Sequence, residues 1–347
     1  MSPGLLTRDA FRERVFQRDR NTCVVPGCGK TAVDAHHVLE RRLWIDDGYY
    51  VDNGVSVCAE HHLDAEATLI SCEDLRRYAG IKRAVLPEHL CASGTYDKWG
   101  NEILPNGMRL RGELFQEDGT QKILSPVLHL FTTRVRYPRT FHLPWSPGRS
   151  DDDRVMVDPN TAFADVDVVV TEKLDGECTT MYRDYLHARS LDYAPHPSRD
   201  RIRALHASIA HDIPEGWRLC GENVYAMHSI AYDALPSHFL VFSVWNDKNE
   251  CLSWDETVYW AHLLGLSTVP TLARGQWEED RVRAFDDVPD SRYGREREGY
   301  VVRRADSFHY RAFRRSVAKY VRKDHVHTDD HWKSRPVLPN QLASDAR

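Results

Sequence analysis

Phe163-Ala-Asp-Val-Asp-Val-Val-Val170, continued by Thr171-Glu172-Lys173-Leu174-Asp175-Gly176-Glu177, is an alternating, β-branched run that ends on a lysine and an Asp-Gly turn. Alternation predicts a strand over Val166–Val170, and Asp-Gly supplies the tight turn after it, so Lys173 emerges at a strand end. A lysine in a pocket loses its proton more easily through desolvation or neighbouring cations, which makes its amine a nucleophile. Further strand-like runs follow at Phe239–Trp245, Tyr300–Arg303 and Val317–Val321. Ser253-Trp-Asp-Glu256 reads as a capping box opening a helix towards Gly265. From about residue 125 onward the pattern is therefore mixed α and β.

The Lys-x-Asp-Gly signature is weak alone, but Gly221-Glu222-Asn223, the strand around Phe242, Glu298-Gly299-Tyr-Val-Val-Arg303 and Val317-Ala-Lys319-Tyr-Val321 follow in order. This series resembles the covalent nucleotidyltransferases, and within them the ATP-dependent RNA ligases, over about residues 125–335. It includes a leading Tyr137-Pro-Arg-Thr-Phe-His-Leu-Pro segment. The resemblance implies an adenylyltransferase fold, an ATP-grasp-like cleft between two antiparallel sheets, that joins 5′-phosphate to 3′-hydroxyl ends using ATP and Mg²⁺ or Mn²⁺. Carried onto this chain, Lys173 attacks the α-phosphorus and Glu172 meets the adenine or its surroundings. Asp175 and Gly176 shape the turn, Arg189 contacts phosphate and Glu222 binds ribose. Phe242 stacks on adenine, Glu298 holds the divalent metal and Lys319 contacts the α-phosphate. Positioning and cationic stabilisation of spreading charge are what phosphoryl transfer needs. The last motif departs from the family where Val321 takes the place of a second lysine, leaving Arg322 or Lys323 as alternatives.

The front of the chain has a different character. Five of the eight cysteines lie in the first 91 residues. Cys23-Val-Val-Pro-Gly-Cys28 and Cys58-Ala-Glu-His61 are two short pairs of the kind that close a tetrahedral Zn²⁺ site. Residues 8–19 place Phe11, Val15 and Phe16 on one helical stripe. Between and after the pairs stand His36, His37, Asn53 and His62, and Asn53 precedes Cys58 by five positions and His62 by nine. Here residues 8–66 resemble the HNH endonucleases, a ββα-metal fold. The resemblance makes His37 the general base, gives His36 and His62 a divalent metal, and has Asn53 orient the hairpin or the base. A neutral imidazole can take a proton near pH 7, and an imidazole-held metal can stabilise phosphoryl charge. The family often carries Asp where this chain has His36. A zinc module that binds nucleic acid without cutting is the alternative reading.

The fold class expected is thus α+β. A small ββα-metal (HNH) zinc module spans 1–79, a connector with short strands 80–124, and the ligase-like adenylyltransferase domain 125–347. Asp-Lys-Trp-Gly-Asn, Pro-Asn-Gly and Glu-Asp-Gly-Thr in the connector are turn signals. At 347 residues the length suits about two domains at ~100–200 residues each. Lys and Arg number 46 against 52 Asp and Glu, a net charge of −6 that excludes a wholly basic coat, so a nucleic-acid surface must be local. Residues 292–323 supply one, with eleven Lys or Arg against three acids and six interleaved aromatics. No apolar run approaches the ~18 residues of a spanning helix, and the charged start argues for a cytoplasmic protein with reduced thiols. Cys178, Cys220 and Cys251 lack paired spacing and read as inert buried thiols, and Trp217 and Trp245 as core. His325, His327 and His331 form a tail cluster that reads as polar surface, with a metal site as the alternative. The partner expected is nucleic acid, RNA in preference to DNA, with no membrane and with oligomeric state open. The rivals are a nick-binding protein with two inactive modules, an adenylyltransferase with another acceptor, and a guanylyltransferase sharing the lysine motif.

Overall fold

The computed structural model describes residues 4–90, 92–105, 107–117, 119–132, 134–149, 153–189, 191, 195–286, 288, 290–323 and 336–343. The histidine cluster at 325–331 lies outside them. The chain forms two compact units, Met1–Val135 and Arg136–Arg347. Among the described residues no helix is long and apolar enough to cross a membrane.

In the first unit, helix α1 (Arg8–Arg18) starts on Thr7, whose hydroxyl accepts from the Ala10 amide, and it buries Phe11 and Val15, while Phe16 stays half-buried. It packs on an antiparallel hairpin of β1 (Asp34–His37) and β2 (Gly54–Val57), which runs into α2 (Ala59–Glu66). A third helix, α3 (Cys72–Tyr78), is capped by Ser71. Beyond it, β3 (Thr95–Tyr96) and β4 (Glu102–Ile103) form a short antiparallel pair. The segment expected as a connector does carry short strands, but it is no tether. Tyr96, Trp99, Leu114, Phe115 and Leu124 join Val38, Leu43, Val55 and Leu75 in one core. Burying such side chains contributes about 1.5–3 kcal/mol each to the stability of the unit.

The second unit holds two sheets built from β5 (Phe141–His142), β6 (Asp167–Lys173), β7 (Glu177–Tyr182), β8 (Leu186–Ala188), β9 (Arg218–Asn223), β10 (Phe239–Trp245), β11 (Glu250–Cys251), β12 (Ser267–Thr268), β13 (Thr271–Gln276), β14 (Gly299–Arg304), β15 (Phe308–His309) and β16 (Val317–Val321). One sheet has the order β13-β6-β14-β16-β5; the other runs β15-β11-β10-β9-β7-β8, with β12 on β10. Both were expected to be antiparallel. Each instead contains one parallel pair, β16 with β5 and β10 with β12. The capping box is formed as the sequence indicates: Ser253 and Glu256 satisfy each other's backbone amides, and the helix Trp254–Leu263 stops before Gly265 at φ +68. Alternation sorts each strand. Val168, Val170, Tyr300, Val302, Ala318 and Tyr320 pack on the outer face of the first sheet, while Val169 lies in another apolar cluster with Leu174 and Leu240. Trp245 is fully buried and Trp217 packs at the edge of a core against Trp260.

Candidate active site and metal centres

The inner faces of the two sheets enclose a cavity of about 360 Å³. From the first sheet come Thr171, Lys173, Val301, Arg303, Val317 and Lys319; from the second, Cys178, Glu222, Phe242 and Cys251. Lys173 is the last residue of β6, before the Leu174–Gly176 turn that carries the chain from one sheet to the other. Its Nζ donates to Glu298 Oε2 at 2.5 Å, and the register explains why, because Gly299 pairs with Lys173. Burial pulls the Lys173 pKa down, but the carboxylates of Glu298 and Glu222 outweigh it and hold the ammonium above its ordinary value. Burial pushes Glu222 up to about 8 despite Lys173 nearby. Lys319 lies opposite Val301 and is brought down to about 8, first by burial and then by Lys173. Arg189, just past β8, lines the cavity, and burial lowers it below the ordinary guanidinium range.

The turn itself is pinned. Asp175 Oδ2 accepts from the amides of Ser229 at 2.7 Å and Ile230 at 3.0 Å, and the Asp175 amide donates to Tyr232 Oη at 2.8 Å. A Cβ on Gly176 would sit 2.5 Å from the Asn223 carbonyl oxygen, so glycine is required by close approach of β7 to β9. Phe242 falls at the irregularity in the β9–β10 register, and its ring meets Tyr137 edge-on at 5.0 Å.

Glu172 is among the residues lining the cavity, but its carboxylate is engaged elsewhere. Side chains alternate across a strand, so it points away from the Lys173 face. Its carboxylate is 1% exposed and accepts from Ser291 Oγ at 2.5 Å and from the Arg292 amide at 3.0 Å. Burial raises its pKa, and it ties the 291–292 loop to the outside of the lysine strand. The basic stretch 292–323 is also less available than its composition suggests. Arg297 donates to Phe285 O, Arg303 to Leu252 O, and Arg322 to Glu296; Arg292, Arg295, Arg311, Arg315 and Lys323 remain exposed. Tyr300, Phe308, Phe313 and Tyr320 of its aromatics are core, and Tyr300 and Tyr320 stack at 4.8 Å. Neither Arg322 nor Lys323 lines the cavity. Burial raises the pKa values of Cys178, Cys220 and Cys251; Cys220 is a core thiol, whereas Cys178 and Cys251 line the cavity wall, which their lone spacing did not signal.

Among the described residues, the first unit holds two side-chain clusters of metal-ligating type. Cys23, Cys28, Cys58 and His61 bring their ligand atoms within 4.8 Å of one another. Cys28 and Cys58 sulfurs are 3.8 Å apart, and His61 Nδ1 is 3.3 Å from both Cys23 and Cys58 sulfurs. A tetrahedron with metal–sulfur bonds of ~2.3 Å has edges of roughly 3.8 Å, so the donor set fits a zinc-sized ion.

In the second cluster, Asp34, His36 and His62 converge within 4.8 Å. Asp34 is absent from the sequence reading; its place two residues before His36, on the same strand face, was the available signal. His62 Nδ1 is 3.0 Å from Asp34 Oδ2. His36 is 1% exposed, neither ring nitrogen has a hydrogen-bond partner, and burial holds its pKa well below normal. His37, the expected base, alternates to the other strand face, stacks on Phe11 at 4.6 Å and is brought down to about 4 by burial and then Lys98. Asn53 orients the hairpin and not the base. Its Nδ2 donates to Leu39 O at 3.0 Å and Gly48 O at 3.2 Å, and its Oδ1 accepts from the Leu39 amide at 2.9 Å.

Residues 166–321, within the second unit, match the family model for RNA ligase, and that stretch contains Lys173, Glu222, Glu298 and Lys319. No curated protein is similar enough to count as a match. Among solved structures, the Naegleria gruberi RNA ligase with PPi is 16% identical, covering 89% of this chain and 80% of that chain at a TM-score of 0.40. A mutant of that ligase with ATP and Mn is 14% identical over 78% and 71%, at 0.39. Another, also with ATP and Mn, is 16% identical over 54% of this chain and only 60% of that one, at 0.35.

Proposed function

We propose that the protein is an ATP-dependent polynucleotide ligase that seals 5′-phosphate and 3′-hydroxyl ends, of RNA in preference to DNA, through a covalent lysyl-AMP on Lys173. The observation that carries this reading is the placement of Lys173 at the floor of the inter-sheet cavity, 2.5 Å from Glu298 and flanked by Lys319, inside the stretch matched as RNA ligase. In the first step the neutral Lys173 amine attacks the α-phosphorus of ATP, a P–N bond forms, the bond to the bridging oxygen breaks, and pyrophosphate leaves. AMP then passes to a 5′-phosphate, and the 3′-hydroxyl displaces it as the new phosphodiester forms. Lys173 must lose a proton first, and the ion pair with Glu298 opposes that loss. Glu298 presents carboxylate oxygens that would hold Mg²⁺ or Mn²⁺, which would supply charge neutralisation on the phosphates, while Glu222, pushed up to about 8 by burial, is placed to meet the ribose. Glu298, paired with Lys173 at 2.5 Å, is the residue whose engagement elsewhere would free the Lys173 amine. Lys319 then faces the spreading phosphoryl charge from β16, two strands across from the Lys173 strand. Phe242 and Tyr137 offer aromatic surface for the adenine.

The test is intact-protein mass spectrometry after incubation with Mg²⁺ and either ATP or GTP, comparing wild type with Lys173→Ala. An AMP-sized adduct with ATP that is lost in the variant is expected. No adduct from protein shown free of prior adenylylation overturns the ligase reading in favour of nick binding, and a GMP adduct overturns the choice of nucleotide.

A second reading concerns the first unit, and the Asp34–His36–His62 convergence favours it: a metal-dependent HNH-type nuclease beside a structural Zn²⁺ held by Cys23, Cys28, Cys58 and His61. It makes the chain a cutting and sealing enzyme for nucleic-acid processing or repair. Cleavage of RNA or DNA that disappears in His62→Ala is the expected result; a full-length protein that never cuts leaves the unit a binding module.

A further inference from the structure

Lys98 sits in the segment whose sequence suggests only a turn, and the structure builds that turn with unusual thoroughness. Asp97 is 2% exposed, and its carboxylate accepts from the Trp99 and Asn101 amides at 3.0 and 3.1 Å, from Asn101 Nδ2 at 3.0 Å and from Arg109 at 3.0 Å. Gly100 takes φ +77, where a Cβ would come 2.8 Å from Leu43. The product of this scaffold is a lysine only 4% exposed.

That lysine is aimed at the second metal-type cluster. Lys98 Nζ donates to the His37 carbonyl at 3.1 Å, stands 3.1 Å from Glu66 Oε1 and lies 3.6 Å from Glu40 Oε2. Its own carbonyl receives the Glu40 amide at 2.8 Å, and Trp99 Nε1 donates to Glu66 O at 2.9 Å. Glu66 is in turn the carboxylate within ion-pair range of both imidazoles, with Oε1 3.5 Å from His36 Nδ1 and 3.9 Å from His62 Nε2, though not hydrogen-bonded to His36. The opposite nitrogen of His62 is the one beside Asp34. One carboxylate, fixed by one lysine, thus stands behind two imidazoles. Outer carboxylates of this kind fix the tautomer and direction of metal-binding histidines.

We propose that Lys98 is a positioning residue: by holding Glu66 against His36 Nδ1 and His62 Nε2, it turns the other nitrogen of each ring towards a divalent cation shared with Asp34. The assignment rests on the metal reading of the Asp34–His36–His62 cluster and not on cleavage.

The test is Mn²⁺ titration of the full-length protein followed by electron paramagnetic resonance, with His62→Ala run alongside so that only the His62-dependent ion is counted. Lys98→Met is expected to weaken that ion ~10- to 100-fold, the range for loss of an outer-shell partner. Lys98→Arg is expected to restore it to within a few-fold. The sign is diagnostic. Removing a positive charge that merely lies nearby would tighten cation binding, so unchanged or tighter Mn²⁺ in Lys98→Met overturns the proposal. Should hydrogen exchange show the first unit unfolded in Lys98→Met, Lys98→Gln, which keeps donors without charge, decides by the same criterion. Wild type with no His62-dependent Mn²⁺ overturns the metal reading and this proposal together. Mn²⁺ binding that depends on Lys98 in a protein that cuts nothing removes the nuclease reading and leaves Lys98 as assigned.

Discussion

Lys319→Met should make the protein more stable and catalytically dead at the same time. Lys319 sits within β16, opposite Val301 of β14 and His142 of β5, so the unbranched Met side chain replaces its aliphatic stem with little change of volume. Burial and the nearby Lys173 bring its pKa from 10.5 to about 8, which means the fold disfavours the charged form. At 1.36 kcal/mol per pH unit, the wild-type fold carries a penalty of roughly 3 kcal/mol from this residue. The unfolded chain binds the extra proton between about pH 8 and 10.5, so stability contributed through this site rises with pH across that window. The gain in Lys319→Met should therefore be full below pH 8 and vanish towards pH 10.5. For a unit of this size about 3 kcal/mol corresponds to roughly 5–10 °C in melting temperature. Melts followed by tryptophan fluorescence from pH 6 to 10.5, paired with the adenylylation assay, measure both effects. A variant less stable than wild type at pH 7, or a gain that does not shrink with pH, would refute the claim that this lysine is held against its solvation preference.

Two further outcomes follow from the geometry. Asn53→Ala leaves the amide and carbonyl of fully buried Leu39 without their side-chain partners, a loss of about 2–6 kcal/mol at ~1–3 kcal/mol per group. Hydrogen exchange across residues 34–57 should accelerate at least ~20-fold, and wild-type protection would show that Asn53 does not brace the hairpin. Gly176→Ala places a Cβ 2.5 Å from the Asn223 carbonyl and must part β7 from β9 beside Glu222, at about 1–3 kcal/mol. The ATP concentration needed for half-maximal adenylylation should rise, while Gly4→Ala, with open space around it, serves as the control; equal values in the two variants count against the close-approach argument.

The second unit is largely readable from its sequence because its strands are β-branched and its motifs lie at strand ends. Phe239–Trp245 and Val317–Val321 coincide with β10 and β16, and the capping box at Ser253 marks its helix. What sequence order hides is facing. Glu172 and Lys173 are adjacent in the motif yet serve opposite sides of the sheet, a consequence of period-two alternation that the strand assignment already contains. Strands such as β9 (Arg218–Asn223) and β13 (Thr271–Gln276) mix charge and glycine with apolar residues, so they give little pattern; pairing with β10 and β6 defines them. The basic stretch misleads for a related reason, because composition counts guanidinium groups without showing that Arg297 and Arg303 are directed inward to backbone carbonyls. In the first unit the Cys23–Cys28 and Cys58–His61 pairs converge as their spacing indicates, whereas Glu66 and Lys98 come together from 32 residues apart in the chain, beyond the reach of any local pattern.

The shared core of the first unit also decides how the protein can be taken apart. A ββα segment cut after residue 79 would keep its cysteines and histidines but strip Tyr96, Trp99, Leu114 and Phe115 from Val38, Leu43 and Leu75. Such a fragment would expose an apolar face and lose the bond from Trp99 to the last turn of α2. Anyone grafting the front of this chain onto another enzyme should place the junction near Val135, where the compact unit ends.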